Sequence, residues 1–435
     1  MQLMNIDFFD ILKLKGFPVK KAQKQFNAIQ NVPNLLEWQS NRKWEIFNHH
    51  LNKNNFYKHF VKNKINTWEQ IPIITKNELN QINYTNTLLN TRRQRFIRQT
   101  SGSTGRPLTY SINYFSHTLT WLLIADRYAT LGLSINDKQA RFYGLPQNQP
   151  SRFIEKTKDL LANRYHMPIL DLSDASLEKW VELIRKKQFF YLYGYSYPLI
   201  TFAKYLNKKG IILKDYCPHL KACIVTSEMC SPDEESLLES AFGIPSANEY
   251  GASETGIIGF GKSNNWLISD EQVYVEIVDD NDTIIPDGEI GRIICTHLFN
   301  EETPFIRYQI GDIGKIETRN NRRYLTALIG RKEEMIYLPS GKKAPGDTVF
   351  YYIIQDFIRK YPSIIHEYRV IQHTISNFEY QLTTKNPINK AQERLLVHLT
   401  TSYLEKDLSI FISEVSTIER TPLGKFRRFI SMLQE

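Results

Sequence analysis

Thr100-Ser101-Gly102-Ser103-Thr104-Gly105-Arg106-Pro107 carries hydroxyls and two glycines and almost no apolar bulk. Arg95-Phe96-Ile97-Arg98 leads into it with the composition of a strand, and Leu108-Thr109-Tyr110-Ser111 leads out. Glycine lets backbone N–H groups come close to an anion, and Ser and Thr add hydroxyl donors, so a polyphosphate is a natural tenant of such a loop. The stretch is not a Walker A loop, because no Gly-Lys-Ser/Thr closes it. Taken alone, it also fits a Ser/Thr/Gly surface turn.

Working outward, short apolar runs alternate with helical ones. Residues 116–131 are apolar at helical spacing and meet Gly132, a candidate C-cap. Ala140-Arg141-Phe142-Tyr143 predicts a strand, 175–187 a helix, 189–194 a strand, 198–208 a helix ending at Gly210, 220–225 a strand and 232–242 a helix. This alternation predicts an α/β architecture with mixed sheets, in which strand ends supply the ligand loops. Residues 1–90 read as helices covering one side, with Ile71-Pro72-Ile73-Ile74-Thr75 a turn into an extended piece. From Val273 the texture becomes strand and turn, predicting a β-rich subdomain of the large unit. Gly330-Arg331 marks a boundary. The expectation is an N-terminal domain over 1–330 and a small α+β domain over 331–435.

Composition narrows the function classes. With 42% apolar and 12% aromatic residues, the chain can build a sizeable core. No apolar run reaches the roughly 20 residues of a bilayer span, and the start lacks a basic n-region, so a cytoplasmic protein without a transmembrane segment is expected. The formal charge of +9 favours anionic ligands. No zinc-finger or RNP signature accompanies the basic clusters, and nucleic acid is not expected as a partner. Cys217, His219, Cys223 and Cys230 match no strong zinc spacing, and Cys223 sits in a strand-like run, so reduced core thiols are the expectation.

Four further constellations carry chemistry. In Asn248-Glu249-Tyr250-Gly251-Ala252-Ser253-Glu254-Thr255-Gly256, an aromatic can stack on a purine, hydroxyls can bind phosphate or sugar, and Glu254 is a hard oxygen ligand suited to Mg²⁺. In Arg307-Tyr308-Gln309-Ile310-Gly311-Asp312, Asp312 can accept from a ribose diol. Gly330-Arg331-Lys332-Glu333-Glu334 fits a charged linker. Thr421-Pro422-Leu423-Gly424-Lys425 ends in an ammonium that a Pro/Gly turn can deliver into a cleft. Each alone also fits a bland turn or solvated surface.

Together and in this order, the stretches resemble the motifs of the adenylate-forming superfamily, and within it the phenylacetate-CoA ligase-like branch with its CapK-like capsular polysaccharide proteins. Gly288-Glu289-Ile290-Gly291-Arg292 and Pro304-Phe305-Ile306-Arg307-Tyr308 carry the branch resemblance. It implies ATP-dependent activation of a small carboxylic acid to an acyl-adenylate, then transfer to coenzyme A. An amine acceptor is the alternative ligase outcome, an adenylyltransferase in polysaccharide or specialised metabolism another, and a binding or assembly protein with a decayed site the non-enzyme alternative. It implies that Thr100, Ser101, Gly102, Ser103, Thr104 and Gly105 hold phosphates, with Thr104 also helping Glu254 at Mg²⁺. Tyr250, Gly251, Ala252 and Ser253 serve adenine, and Asp312 with Arg331 the ribose. Lys425 bridges carboxylate and phosphate, and Glu333 is the hinge of a mobile C-terminal lid; a homodimer is common among similar enzymes, and the sequence leaves the subunit count open. Tyr143, Tyr193, Tyr195, Ser227 and Glu228 are the pocket candidates; their aromatic content suits an aryl acid, with amino, hydroxy and fatty acids left open. Leu108 stands where many superfamily members carry Lys, and residues 337–345 depart from the branch pattern, which bears on how the lid would serve CoA.

Overall fold

In a computed structural model, the described residues are 7–82, 95–99, 108–143, 149–169, 171–331, 335–362, 364–420 and 426–433. Packing divides the chain into two compact units: Met1–Ile310 with Gly314–Ala327, and Gly311–Ile313 with Leu328–Glu435.

The first unit opens with helices α1 (Phe8–Leu14), α2 (Val19–Gln30), α3 (Leu35–Lys53), α4 (Asn55–Phe60) and α5 (Lys76–Leu79). Polar side chains start several of them: Asp7 accepts from the Phe9 amide, and Asn34 accepts from the Glu37 amide. The extended piece after Pro72 pairs with the chain far downstream, since Ile74 bridges Tyr308 in parallel. Strands β1 (Arg95–Gln99) and β2 (Thr109–Asn113) form an antiparallel pair on either side of residues 100–107.

Then follow α6 (Tyr114–Ala129), β3 (Gln139–Phe142), α7 (Gln149–Leu161), β4 (Arg164–His166), α8 (Asp174–Lys187), β5 (Tyr191–Tyr195), α9 (Ser196–Lys209), α10 (Leu213–Tyr216), β6 (Ala222–Thr226), α11 (Pro232–Phe242), β7 (Ser246–Ala252), β8 (Gly256–Lys262) and β9 (Asn265–Ile268). Helix α9 stops at Gly210, whose left-handed φ of 65° suits glycine. Helix α11 starts with Pro232 in its first turn and a Ser231/Glu234 capping box. Expected elements in this stretch lie within a few residues of those observed. Helix α6 ends at Ala129 with Thr130 as its C-cap, so Gly132, the expected cap, turns two residues after the actual one.

The second half of this unit is β10 (Val273–Val278), β11 (Ile290–His297), β12 (Tyr308–Arg319) and β13 (Arg322–Arg331). Its strands belong to the same 11-stranded sheet, ordered β10-β11-β12-β13-β9-β8-β7-β6-β5-β3-β4. The β-rich part joins the α/β part through a short ladder in which Tyr324 pairs with Leu267 and Leu325 with Trp266. Strands β4, β3, β5, β6 and β7 are parallel, whereas β7 and β8 are antiparallel. The chain therefore reverses at residues 253–255, at the carboxyl ends of the parallel strands.

One face of the parallel strands packs Phe142, Leu192, Cys223 and Val225 against Trp180 of α8, Phe202 of α9 and Phe242 of α11. Each such aromatic contributes on the order of 1.5–3 kcal/mol through burial. The other face packs Tyr191, Ala222, Ile224 and Ala247 against Phe8 of α1 and Tyr128 of α6.

The second unit holds β14 (Met335–Tyr337), β15 (Lys343–Pro345), α12 (Gly346–Lys360), β16 (Ile365–Gln372), β17 (Asn377–Thr384), α13 (Lys390–Tyr403), β18 (Ser409–Glu414) and β19 (Phe429–Ser431). Its four-stranded sheet runs β18-β17-β16-β19, and Phe350, Ile354 and Phe357 of α12 and Leu396 of α13 share its core. Gly346 is required at the start of α12, because a Cβ there would lie 2.1 Å from the Phe429 ring. The chain thus folds as a mixed α/β N-terminal region with an extensive sheet and a smaller C-terminal α+β region.

Candidate active site

The reversal after β7 is held by two tyrosines from elsewhere in the first unit. The Tyr308 hydroxyl donates to Glu254 Oε1 at 3.2 Å, and the Ser253 hydroxyl donates to Glu254 Oε2 at 3.0 Å. The Tyr110 hydroxyl donates to the Ser253 carbonyl. Burial pushes the Tyr110 phenol up to about 12 and the Tyr308 phenol higher still, so both remain protonated donors at neutral pH. Glu254 is half-buried. Thr255 Oγ1 is buried and has no hydrogen-bond partner among the described residues. Gly251 permits the close β7–β8 approach, since a Cβ there would meet the Gly256 carbonyl oxygen at 2.5 Å.

Tyr250 lies on β7 itself rather than in a loop; it is buried, with its ring centroid 6.5 Å from that of Trp266. Ala252 ends the same strand, half-buried. No group of three His, Cys, Asp or Glu is assembled for a metal among the described residues, and Cys217, Cys223 and Cys230 are free, buried thiols. A single oriented carboxylate such as Glu254 still fits Mg²⁺, which binds through one or two carboxylates plus substrate phosphates.

The pocket candidates converge at the same end of the parallel strands. The Tyr143 ring stacks on Tyr193, with centroids 5.7 Å apart, and lies 4.3 Å from Tyr195. Burial raises the Tyr143 phenol above its usual value. Ser227 is exposed, with a left-handed φ of 69° just after β6. Glu228 has a further role, since its Oε2 accepts from the Tyr197 amide at 2.9 Å and places negative charge at the start of α9.

Beneath these tyrosines lies Glu249, on β7. Tyr193 donates to its Oε1 at 2.9 Å and Tyr128 to its Oε2 at 3.1 Å. Burial pushes its pKa above the usual carboxylate value, and the tyrosyl donors oppose the rise.

Asp312 is on β12, half-buried, four residues after Tyr308. Arg307 is fully buried with Nε 3.3 Å from Glu276, and its Nη1 donates to the Glu69 and Ile71 carbonyls. Thr100, Ser101, Gly102, Ser103, Thr104, Gly105, Glu333 and Lys425 lie outside the described residues, as does the side chain of Arg331. Reasoning from sequence missed Tyr110, Tyr128 and the role of Glu249. The signal for Glu249 is in the sequence: a strand over 246–252 puts Ala247 and Glu249 on one face, whereas local pattern reads the stretch only as a nucleotide motif or a bland turn.

This architecture covers 90% of the chain when aligned with 88% of 2-hydroxyisobutyryl-CoA ligase in the postadenylation state in complex with R3-HIB-AMP, with a TM-score of 0.68 at 15% identity. Protein CapK of Staphylococcus aureus is 22% identical over 440 aligned residues, spanning 95% of this chain and 93% of its own length. The fold is that of the adenylate-forming enzymes. In sequence the chain is similar to the phenylacetate-CoA ligases and to CapK. Phenylacetate-coenzyme A ligase of Aromatoleum evansii is 24% identical over 295 residues, 62% of this chain. The match spans 64% of that ligase, so this chain covers less than two thirds of its length. No family model matches the chain. Among the described residues, no helix is long and apolar enough to cross a membrane.

Proposed function

We propose that the chain is an adenylate-forming ligase: it joins a small carboxylic acid to the α-phosphate of ATP and transfers the acyl group to coenzyme A. The observation that carries this is the Ser253–Glu254 turn, fixed by Tyr110 and Tyr308 at the carboxyl ends of parallel strands, where open α/β sheets bind ligands. Phenylacetate-coenzyme A ligase and the 2-hydroxyisobutyryl-CoA ligase support thiol transfer by their likeness.

In the first step a carboxylate oxygen attacks the α-phosphorus, and the bond to pyrophosphate breaks. No general base is needed, because the nucleophile is already ionised. The obstacle is bringing two anions together, so positioning and charge neutralisation carry the rate. On this reading the loop from Thr100 to Gly105 holds the β- and γ-phosphates. Glu254 would hold Mg²⁺, which supplies charge neutralisation, with Thr104 assisting. Tyr250 lies against adenine with Gly251, Ala252 and Ser253 beside it, Asp312 and Arg331 take the ribose, and Lys425 spans carboxylate and phosphate. The acid lies against Tyr143, Tyr193 and Tyr195, near Ser227 and Glu228. Residues 1–330 form the binding domain and 331–435 a lid that turns at Glu333 between the steps, which also keeps water from the mixed anhydride. A cytoplasmic setting agrees with the free, buried thiols of Cys217, Cys223, Cys230 and Cys295.

The test incubates purified chain with ATP, Mg²⁺, coenzyme A and a panel of carboxylic acids, with products weighed by mass spectrometry. AMP, pyrophosphate and an acyl-CoA are expected together. An amide formed only when amines are supplied would move the reading to acid–amine ligation. Absence of acid-dependent pyrophosphate from every acid would overturn it.

A further inference from the structure

The face of the parallel strands that carries Tyr191, Tyr193 and Tyr195 changes character along its length. Cross-strand partners share a face, and on this one Tyr191 pairs with Ala222, Tyr193 with Ile224, and Ile224 with Ala247. These rungs are mostly apolar and pack against α1 and α6. One pleat further toward the carboxyl ends, Tyr195 pairs with Thr226, and Thr226 with Glu249. A carboxylate there has left the position where the pattern below it would place an aliphatic side chain.

Glu249 makes no ion pair with any described residue; its carboxylate has only the Tyr193 and Tyr128 hydroxyls. A carboxylate is acceptor-only and offers about four lone-pair sites, so two donors leave it unsatisfied. Burying a charge without a cation or further donors is costly. Yet Glu249, Tyr193 and Tyr143 are each only half-buried, unlike Tyr195 and Tyr128, which are buried. The remaining accessible surface of the first three, at the carboxyl ends of the parallel strands, is where a ligand recess would open. Tyr143 closes the recess on one side, through its stacking on Tyr193. Three steps along the strand lead from Glu249 to Ala252, a rise of about 10 Å, room for one ring and a short arm.

From this juxtaposition we infer that the acid taken by the site carries a hydrogen-bond donor, a hydroxyl or amino group, at the end remote from its carboxylate, and that Glu249 selects it. The inference rests on the adenylation reading for the direction in which the acid lies. A donor entering the recess fills a vacant lone pair of Glu249, while an unsubstituted ring leaves the carboxylate short of partners. Tyr193 and Tyr128 hold the carboxylate in place, because their donations fix both oxygens. Sites built to hydrogen-bond a substrate donor discriminate strongly against analogues that lack the matching group.

The test measures binding of phenylacetate, 4-hydroxyphenylacetate and 4-aminophenylacetate to the full chain by calorimetry, and acid-dependent ATP–pyrophosphate exchange with the same acids. Phenylacetate is the reference because it is the acid named for the ligase relative. The substituted acids are expected to bind at least tenfold more tightly. Glu249→Gln, close in shape, should shrink that ratio severalfold, and Glu249→Leu should abolish or reverse it. Equal affinities, a preference that survives both substitutions, or no binding by any of the three acids overturns the inference. Selective binding without pyrophosphate exchange would overturn adenylation and leave the selectivity standing. Exchange at equal efficiency with all three acids would do the reverse.

Discussion

The hydroxyl of Tyr308 holds Oε1 of Glu254 at 3.2 Å, across 54 residues of sequence. Tyr308 begins β12 beside its bridge to Ile74, so the orientation of the carboxylate depends on where the β-rich strands and the N-terminal helices meet. Replacing Tyr308 by Phe removes one hydrogen bond to a charged group, worth about 1.5 kcal/mol or more, and should slow acid-dependent pyrophosphate exchange roughly tenfold. The loss should shrink as Mg²⁺ is raised, since the disordered carboxylate would then be recruited by the ion. Exchange unchanged at every Mg²⁺ concentration would show that this hydrogen bond is not used.

Arg307, the neighbour of Tyr308, is a different kind of residue from the one its motif suggests. Its guanidinium is buried with Glu276, whose Oε2 also accepts from Trp68 Nε1 at 3.0 Å. Truncation to Ala strands a buried carboxylate and removes the bonds to the Glu69 and Ile71 carbonyls. A destabilisation of about 3–5 kcal/mol is expected for Arg307→Ala, seen as a lower midpoint of thermal unfolding. Adding Glu276→Gln to Arg307→Ala should recover part of that loss, because the orphaned charge is gone. A double variant no more stable than the single one would place the damage in packing instead.

Much of the framework was legible in sequence, and the reasons are local. Helices α8, α9 and α11 announce themselves by apolar spacing, Pro232 and the cap at Gly210, and strands β5 and β6 by short apolar runs. The candidate phosphate-loop, adenine, ribose and lysine stretches stand out in sequence because glycines and hydroxyls punctuate them. What escaped was pairing at a distance. Residues 246–252 form a central strand although they contain Asn248, Glu249 and Gly251, since neighbours on both sides override weak local propensity. The partners of Glu249 and Ser253 come from Tyr128, Tyr193 and Tyr110, and no spacing rule links those positions. The joining of the β-rich strands to the main sheet rests on a ladder at Tyr324 and Leu325, equally invisible to local pattern.

Acid should weaken the first unit through buried neutral histidines. The Phe299 amide donates to Nδ1 of His297, which leaves Nε2–H to face the Ser116 hydroxyl, and burial lowers the imidazole to about 3. His117 accepts from Trp121 Nε1 and is also lowered to about 3, and His50 to about 4. The unfolded chain protonates these rings near 6.5 while the fold does not, so their contribution is complete above that pH. It falls as pH drops toward 3–4, by up to about 1.4 kcal/mol per pH unit for each ring. Glu249 and Glu276, raised by burial, act in the opposite sense near the carboxylate range. Urea unfolding of His297→Gln should therefore show a shallower decline between pH 6.5 and 5 than the parent chain. Equal slopes would remove His297 from the account.

Lys425 should separate the two half-reactions. Lys425→Ala is expected to cut acid-dependent pyrophosphate exchange about a hundredfold, the cost of losing one charge-assisted contact of roughly 3 kcal/mol. Transfer of the acyl group from a supplied acyl-adenylate to coenzyme A should persist. Loss of both to the same extent would remove the lysine from the adenylation step.

The most direct measurement is a crystal structure of the chain with a non-hydrolysable ATP analogue and Mg²⁺. The account predicts β- and γ-phosphates against Thr100 to Gly105, the ion at Glu254 and adenine beside Tyr250. Adenine bound elsewhere, with the hydroxyl-lined loop empty of phosphate, would contradict it.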